Sequence, residues 1–160
     1  VIQCAKNFFE ESLWRGYLTN QLLKLTMSDW KLYLIAGLVW WGWHLPYWLI
    51  MLNTKEVESI VPAGRIVLVV AAILVFFCWN VMFTEIFRVT RSIWPLVLAH
   101  ALEDAVTLPL LIDGTITLDP RWALVFSTNT GLLPAVILLS VGLGIRRWRI
   151  KNQAKANGYH

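Results

Sequence analysis

The chain has 160 residues, 58% of them hydrophobic and only 15% charged, with a mean hydropathy of +0.59. Soluble domains carry about 25% charged residues, so this balance excludes a domain with a water-facing surface and makes lipid the solvent for most of the chain. The formal charge of +4 does not point to a nucleic-acid partner, because the basic residues cluster at the ends of apolar runs, where they read as topology signals.

In chain order, residues 2–25 read as a helix already under way at Val1, with upstream helices expected to be missing and no signal-peptide pattern. Residues 32–52, 66–84 and 122–145 contain no Asp, Glu, Lys or Arg, and each reaches the roughly 20 residues needed to cross a bilayer. Residues 92–112 are as long and mostly apolar but carry His100, Glu103 and Asp104. Backbone polar groups left bare in hydrocarbon are costly, and no alternating pattern suggests a barrel, so these segments should be helices. The expected fold is an all-α polytopic bundle of about five membrane helices, forming one domain over residues 1–160 with a basic tail from about residue 146.

The joining segments 26–31, 53–65, 85–91 and 113–121 carry turn residues or charge. The first and third of these, with Lys24 just before the first and with the tail, hold nine Lys and Arg, against three on the opposite side. That asymmetry predicts a cytoplasmic C-terminus, and the basic tail should also favour anionic membrane lipids. Most of the ten Trp residues are expected to pack or to anchor at interfaces. Cys4 and Cys78 are expected to be buried thiols without a disulfide or ligand role.

Ionisable side chains within such segments cost roughly 2.5–3.5 kcal/mol each on insertion, which makes them candidates for function. In the first segment, Glu11 and Arg15 are four apart with the acid leading, the favourable order for an intrahelical pair. Glu10 is rotated about 100° away and is left for the work of a base. In the second, His44 is the lone ionisable group, Pro46 loosens the helix beside it, and Gly42 should admit a close neighbour. In the fourth, His100 and Asp104 are one turn apart on one face, with Glu103 bordering it, a spacing that suits an acid orienting an imidazole or two ligands of one metal. Acids and imidazoles pooled from three helices could activate water, bind a metal or relay protons.

Three ordered patterns, Glu10-Glu11-x-x-x-Arg15, Trp40-x-x-x-His44 and His100-x-x-x-Asp104, resemble the motifs of the CAAX-processing and bacteriocin-processing (CPBP) intramembrane proteases, also called Abi proteins. The likeness spans residues 8–106, and the last helix fits as the family's closing helix. It implies endoproteolysis within the membrane on a lipidated or membrane-associated peptide, in a bacterial cytoplasmic membrane. By resemblance, Glu10 and His44 would activate water, and His100 and Asp104 would bind the carbonyl oxygen or complete the site. Glu11, Arg15 and Trp40 would support them. Relatives commonly have Asn where this chain has Asp104, and an ionised Asp cannot donate to an oxyanion. Asp104 is therefore expected to be protonated, to orient His100, or to join His44, His100 and Glu10 around a divalent metal such as zinc. The alternative function is a non-catalytic membrane scaffold or a bacteriocin self-immunity protein.

Overall fold

The structure is a computed structural model that describes residues 1–156. It is helical over 79% of its length and has no strands among the described residues. Among the described residues, seven helical elements make up the bundle. α1 begins as an α-helix over Ile2–Glu11, widens into a π-type stretch over Ser12–Thr19 and closes over Asn20–Leu22. α2 covers Asp29–Met51, α4 Arg65–Thr90 and α5 Trp94–Ile112, and these three are long and apolar enough to cross a membrane. α3 is Thr54–Ile60, α6 Ala123–Phe126 and α7 Leu132–Ala156.

Local chemistry sets these boundaries. Ser28 caps α2, its hydroxyl accepting from the Lys31 N–H at 3.3 Å. The α-helical winding of α2 ends at Trp43, and a π-type stretch follows over Tyr47–Met51, as expected beside Pro46, which removes one rung of the helical ladder. The connection over residues 53–65 is more than a turn. Asn53 and Glu56 form a reciprocal capping box that starts α3, whose Val57 and Ile60 are buried.

α4 is the central element, with α2 and α7 packed along it and α1 packed on α5. α7 lies close to α4 because Gly142 offers no side chain: a Cβ there would stand 2.8 Å from the Met82 backbone nitrogen. Gly42, expected to serve such an approach, has nothing within 4 Å of its would-be Cβ. The reason is that α2 meets α4 through its other face, where Tyr33, Ala36, Gly37 and Trp40 are buried.

Two further expectations are corrected. The charge-free run 122–145 is not one helix: it stops after Phe126 and restarts at Leu132, around a polar break of Ser, Thr, Asn, Thr and Gly. Those residues favour turns over helix interior, so local preference overrides apolar length. Cys78 is buried as expected, but Cys4 is exposed, because it lies on the outward face of α1.

Candidate active site

Glu10 and Glu11 close the α-helical part of α1, and their one-residue rotation sends them to different surroundings. Glu11 is wholly buried. Its carboxylate accepts from Arg15 Nη1 at 2.9 Å on each oxygen, and Oε1 also meets His100 Nδ1 at 2.9 Å. Arg15 is equally buried, its guanidinium 4.2 Å from the centre of the Trp40 ring and 4.8 Å from that of Phe83. A buried cation is tolerable here because it has both an ion partner and two π-faces. The expected Glu11–Arg15 pair is therefore present, and Glu11 has a second task, holding His100. Trp40 does more than pack: besides facing Arg15, it stands edge-on to His100 with ring centres 5.5 Å apart.

His44 is placed by the end of α-helical winding in α2. Its Nδ1 is 2.9 Å from the Trp40 carbonyl oxygen, and a carbonyl can only accept, so Nδ1 carries the hydrogen and Nε2 presents its lone pair. Trp48 stacks on the ring at 5.4 Å and Phe76 meets it edge-on at 4.8 Å. The imidazole is fixed by packing on two sides, with one nitrogen left for chemistry.

His100 and Asp104 share a face but are not bonded: His100 Nε2 and Asp104 Oδ2 are 4.0 Å apart, too far for a hydrogen bond. The winding widens to a π-type stretch from Glu103 to Thr107, which disturbs the one-turn register that the spacing implied. Asp104 is instead held from α1. Lys6 Nζ donates to Oδ2 at 2.6 Å and Asn7 Nδ2 donates to the same oxygen at 2.8 Å. Lys6 also stands 3.4 Å from Glu10 Oε1, so Glu10 has an ion partner one turn back. Its other oxygen, Oε2, is buried with no hydrogen-bond partner among the described residues.

Glu10, His44, His100, Glu103 and Asp104 line one cavity of about 340 Å³, together with Lys6 and a wall of aromatic rings that includes Trp48, Phe76 and Trp79. Three helices thus bring their polar groups to one apolar hollow, the setting in which charge interactions are strongest. Sequence reasoning missed Lys6, Asn7, Thr128 and Asn129 here. Lys6 had a signal in its four-residue spacing to Glu10, whereas contacts between α1 and α5, or from the break before α7, leave no local pattern.

The metal set that the sequence allowed, His44, His100, Asp104 and Glu10, meets a mixed test. Both imidazoles have Nδ1 engaged and Nε2 available, as a metal ligand needs. However, Asp104 is committed to Lys6 and Asn7, and no three His, Cys, Asp or Glu among the described residues stand together as a group that could hold a metal. As arranged, these side chains do not make a ligand set.

Residues 1–106 match the family described as type II CAAX prenyl endopeptidase Rce1-like, a match that takes in all three motifs and the helices carrying them. The chain belongs to this family. No curated protein and no solved structure matches it. Membership in the CAAX prenyl endopeptidases, with three spans of membrane-crossing length, makes it an integral membrane protein and in general a CAAX-type intramembrane endopeptidase. The family match ends two residues beyond Asp104, so α6, α7 and the break between them lie outside it.

Proposed function

We propose that this endopeptidase hydrolyses a peptide bond in a membrane-associated or lipidated, CAAX-like substrate, with water activated by Glu10 and His44. The observation that carries the reading is Glu10 Oε2, a buried carboxylate oxygen without a partner among the described residues, in the same cavity as His44. An unpaired buried acceptor is costly, and a water molecule donating to it is in position to be deprotonated.

The attacking water gives its proton to Glu10 while its oxygen bonds to the carbonyl carbon. His44 Nε2 accepts from the water's second hydrogen and orients it. His100, held through Nδ1 by Glu11, turns its Nε2 toward the side of the cavity where negative charge develops on the carbonyl oxygen. Lys6 adds positive charge at the same wall. The carbon–nitrogen bond then breaks, Glu10 returns its proton to the leaving amine, and the new carboxyl end departs. Asp104 anchors Lys6, whose ammonium donates to its Oδ2 beside the Asn7 amide. The aromatic wall suits an apolar lipidated residue beside the cleaved bond.

The charge asymmetry supports a cytoplasmic C-terminus in a bacterial membrane. It gains support from the ion pairs of Asp29 with Arg88 and Arg146, which gather the basic ends of α4 and α7 beside the start of α2.

The test uses purified protein in lipid nanodiscs with an internally quenched farnesylated peptide ending in a CAAX sequence. Glu10→Gln and His44→Ala should each slow cleavage by roughly 10²–10⁴-fold. Equal turnover by wild type and both variants would sink the proposal, and absence of cleavage would favour a scaffold. Metal analysis of the same preparation, with and without chelator, decides metal dependence: activity that follows bound metal would replace this mechanism with a metal-assisted one.

A further inference from the structure

The break between α6 and α7 is unusual for its surroundings. The run 122–145 is charge-free and long enough to cross a bilayer as one helix, yet residues 127–131 leave helical geometry within it. Irregular backbone in an apolar segment is tolerated where it is buried in protein or lines a cavity. Here it lines one: Thr128 and Asn129 face the hollow that also holds Glu10, His44 and His100.

The loop has a fixed shape. The Gly131 N–H donates to the Ser127 carbonyl at 2.7 Å. A Cβ on Gly131 would stand 2.3 Å from that same carbonyl oxygen and 2.8 Å from that of Val125, so only glycine closes this turn. Its hydrogen-bonding capacity is nonetheless largely unused. Ser127 and Thr130 are buried, and their hydroxyls have no partner among the described residues. Thr128 Oγ1 donates to Asn129 Oδ1 at 2.9 Å, and both residues line the cavity, the Asn129 amide nitrogen taking no part in that bond. Ser127 and Thr130 are packed away from the cavity, so the loop meets a ligand there through Thr128 and Asn129. The groups on offer are neutral amide and hydroxyl, and the cavity's charges belong to Lys6, Glu10, Glu103 and Asp104 on α1 and α5. A neutral ligand rich in carbonyl acceptors fits: the main chain of a peptide.

We infer that this loop, through Thr128 and Asn129, binds the main chain of the substrate peptide, with the Asn129 amide donating to one of its carbonyls. The inference rests on the peptidase reading and extends it to a segment that the family match does not cover.

The test measures binding apart from turnover. A fluorescent farnesylated CAAX peptide is titrated by polarisation into Glu10→Gln protein in nanodiscs, alone and combined with Asn129→Ala or Asn129→Asp. Asp keeps the acceptor for Thr128 but removes the donors, so both variants should bind the peptide about 10-fold more weakly, as expected for one lost hydrogen bond. Farnesylcysteine, which lacks the residues that follow the cysteine, should bind all three proteins alike. In protein that keeps Glu10, Asn129→Ala should raise KM about 10-fold with kcat within about 2-fold, the signature of lost ground-state binding. Equal peptide affinity in the three proteins, or an equal loss for farnesylcysteine, would overturn the inference while leaving the peptidase reading intact. Failure of the peptide to bind Glu10→Gln protein at all would overturn both.

Discussion

Lys6 sits where two carboxylates would otherwise repel each other. Its ammonium lies 2.6 Å from Asp104 and 3.4 Å from Glu10, and its side chain remains 46% exposed within the cavity wall. Removing it should hurt turnover mainly because Asp104 is left as an unneutralised charge beside the base. Lys6→Met is therefore expected to lower kcat about 10²-fold, and Asp104→Asn to restore much of that loss in the double variant, since a neutral amide needs no cation. The double-mutant cycle on kcat checks this, and additive effects would show that Lys6 acts independently of Asp104. Glu11 is a different case, with three donor contacts and no solvent. Glu11→Gln leaves Arg15 buried without its counter-charge, a change worth about 3–5 kcal/mol. Thermal unfolding in detergent should show a large drop in Tm, and His100, freed from its anchor, should lose activity even in the fraction that stays folded.

At the scale of helices, close contact between α7 and α4 depends on a single absent side chain. A Cβ at position 142 would press on the Met82 backbone nitrogen at 2.8 Å and its Cα at 2.9 Å, and backbone cannot rotate out of the way as a side chain can. Gly142→Leu is expected to destabilise by about 1–3 kcal/mol, readable as a lower Tm, whereas Gly144→Leu, with nothing within 4 Å, should be nearly silent. The sequence announced α2, α4 and α5, because charge-free length and the His100 segment are local properties. It also pooled Glu10, Glu11, His44, His100 and Asp104 as candidates, because ionisable groups in lipid are expensive, and all of these but Glu11 line one cavity. It could not announce who holds whom. Asp104 reads as His100's partner from a four-residue spacing, but the helix widens at Glu103 and α1 brings Lys6 and Asn7 to it instead. The break at 127–131 was hidden by the same apolar count that revealed the other spans, since five small polar residues barely dilute a 24-residue run.

Across the whole molecule, the far end of the bundle is closed by charge rather than by apolar packing. Glu85, wholly buried on α4, accepts from Tyr33 of α2 at 2.5 Å and from Arg149 of α7 at 2.6 and 3.0 Å, with Arg88 at 3.2 Å. Asp29, at the start of α2, takes Arg88 at 2.7 Å, Arg146 at 2.9 Å and Arg149 at 3.1 Å. Two acids thus tie three helices together, and two of the three arginines come from α7, beyond the stretch matched to the family. Arg149→Met would remove two contacts from Glu85 but leave Arg88 and Tyr33 in place, so its cost should be about 1–3 kcal/mol, less than for a fully orphaned charge. Glu85→Gln should reduce that cost, because the neutral amide needs less from Arg149, and the coupling would appear in a double-mutant cycle on Tm. Glu85 lies six residues, about 9 Å, along α4 from Trp79 in the cavity wall. Arg149→Met should therefore lower Tm while leaving kcat/KM on the farnesylated peptide within about 2-fold at temperatures where the protein is folded. A parallel fall in kcat/KM at those temperatures would show that the charged end and the cavity are coupled through α4.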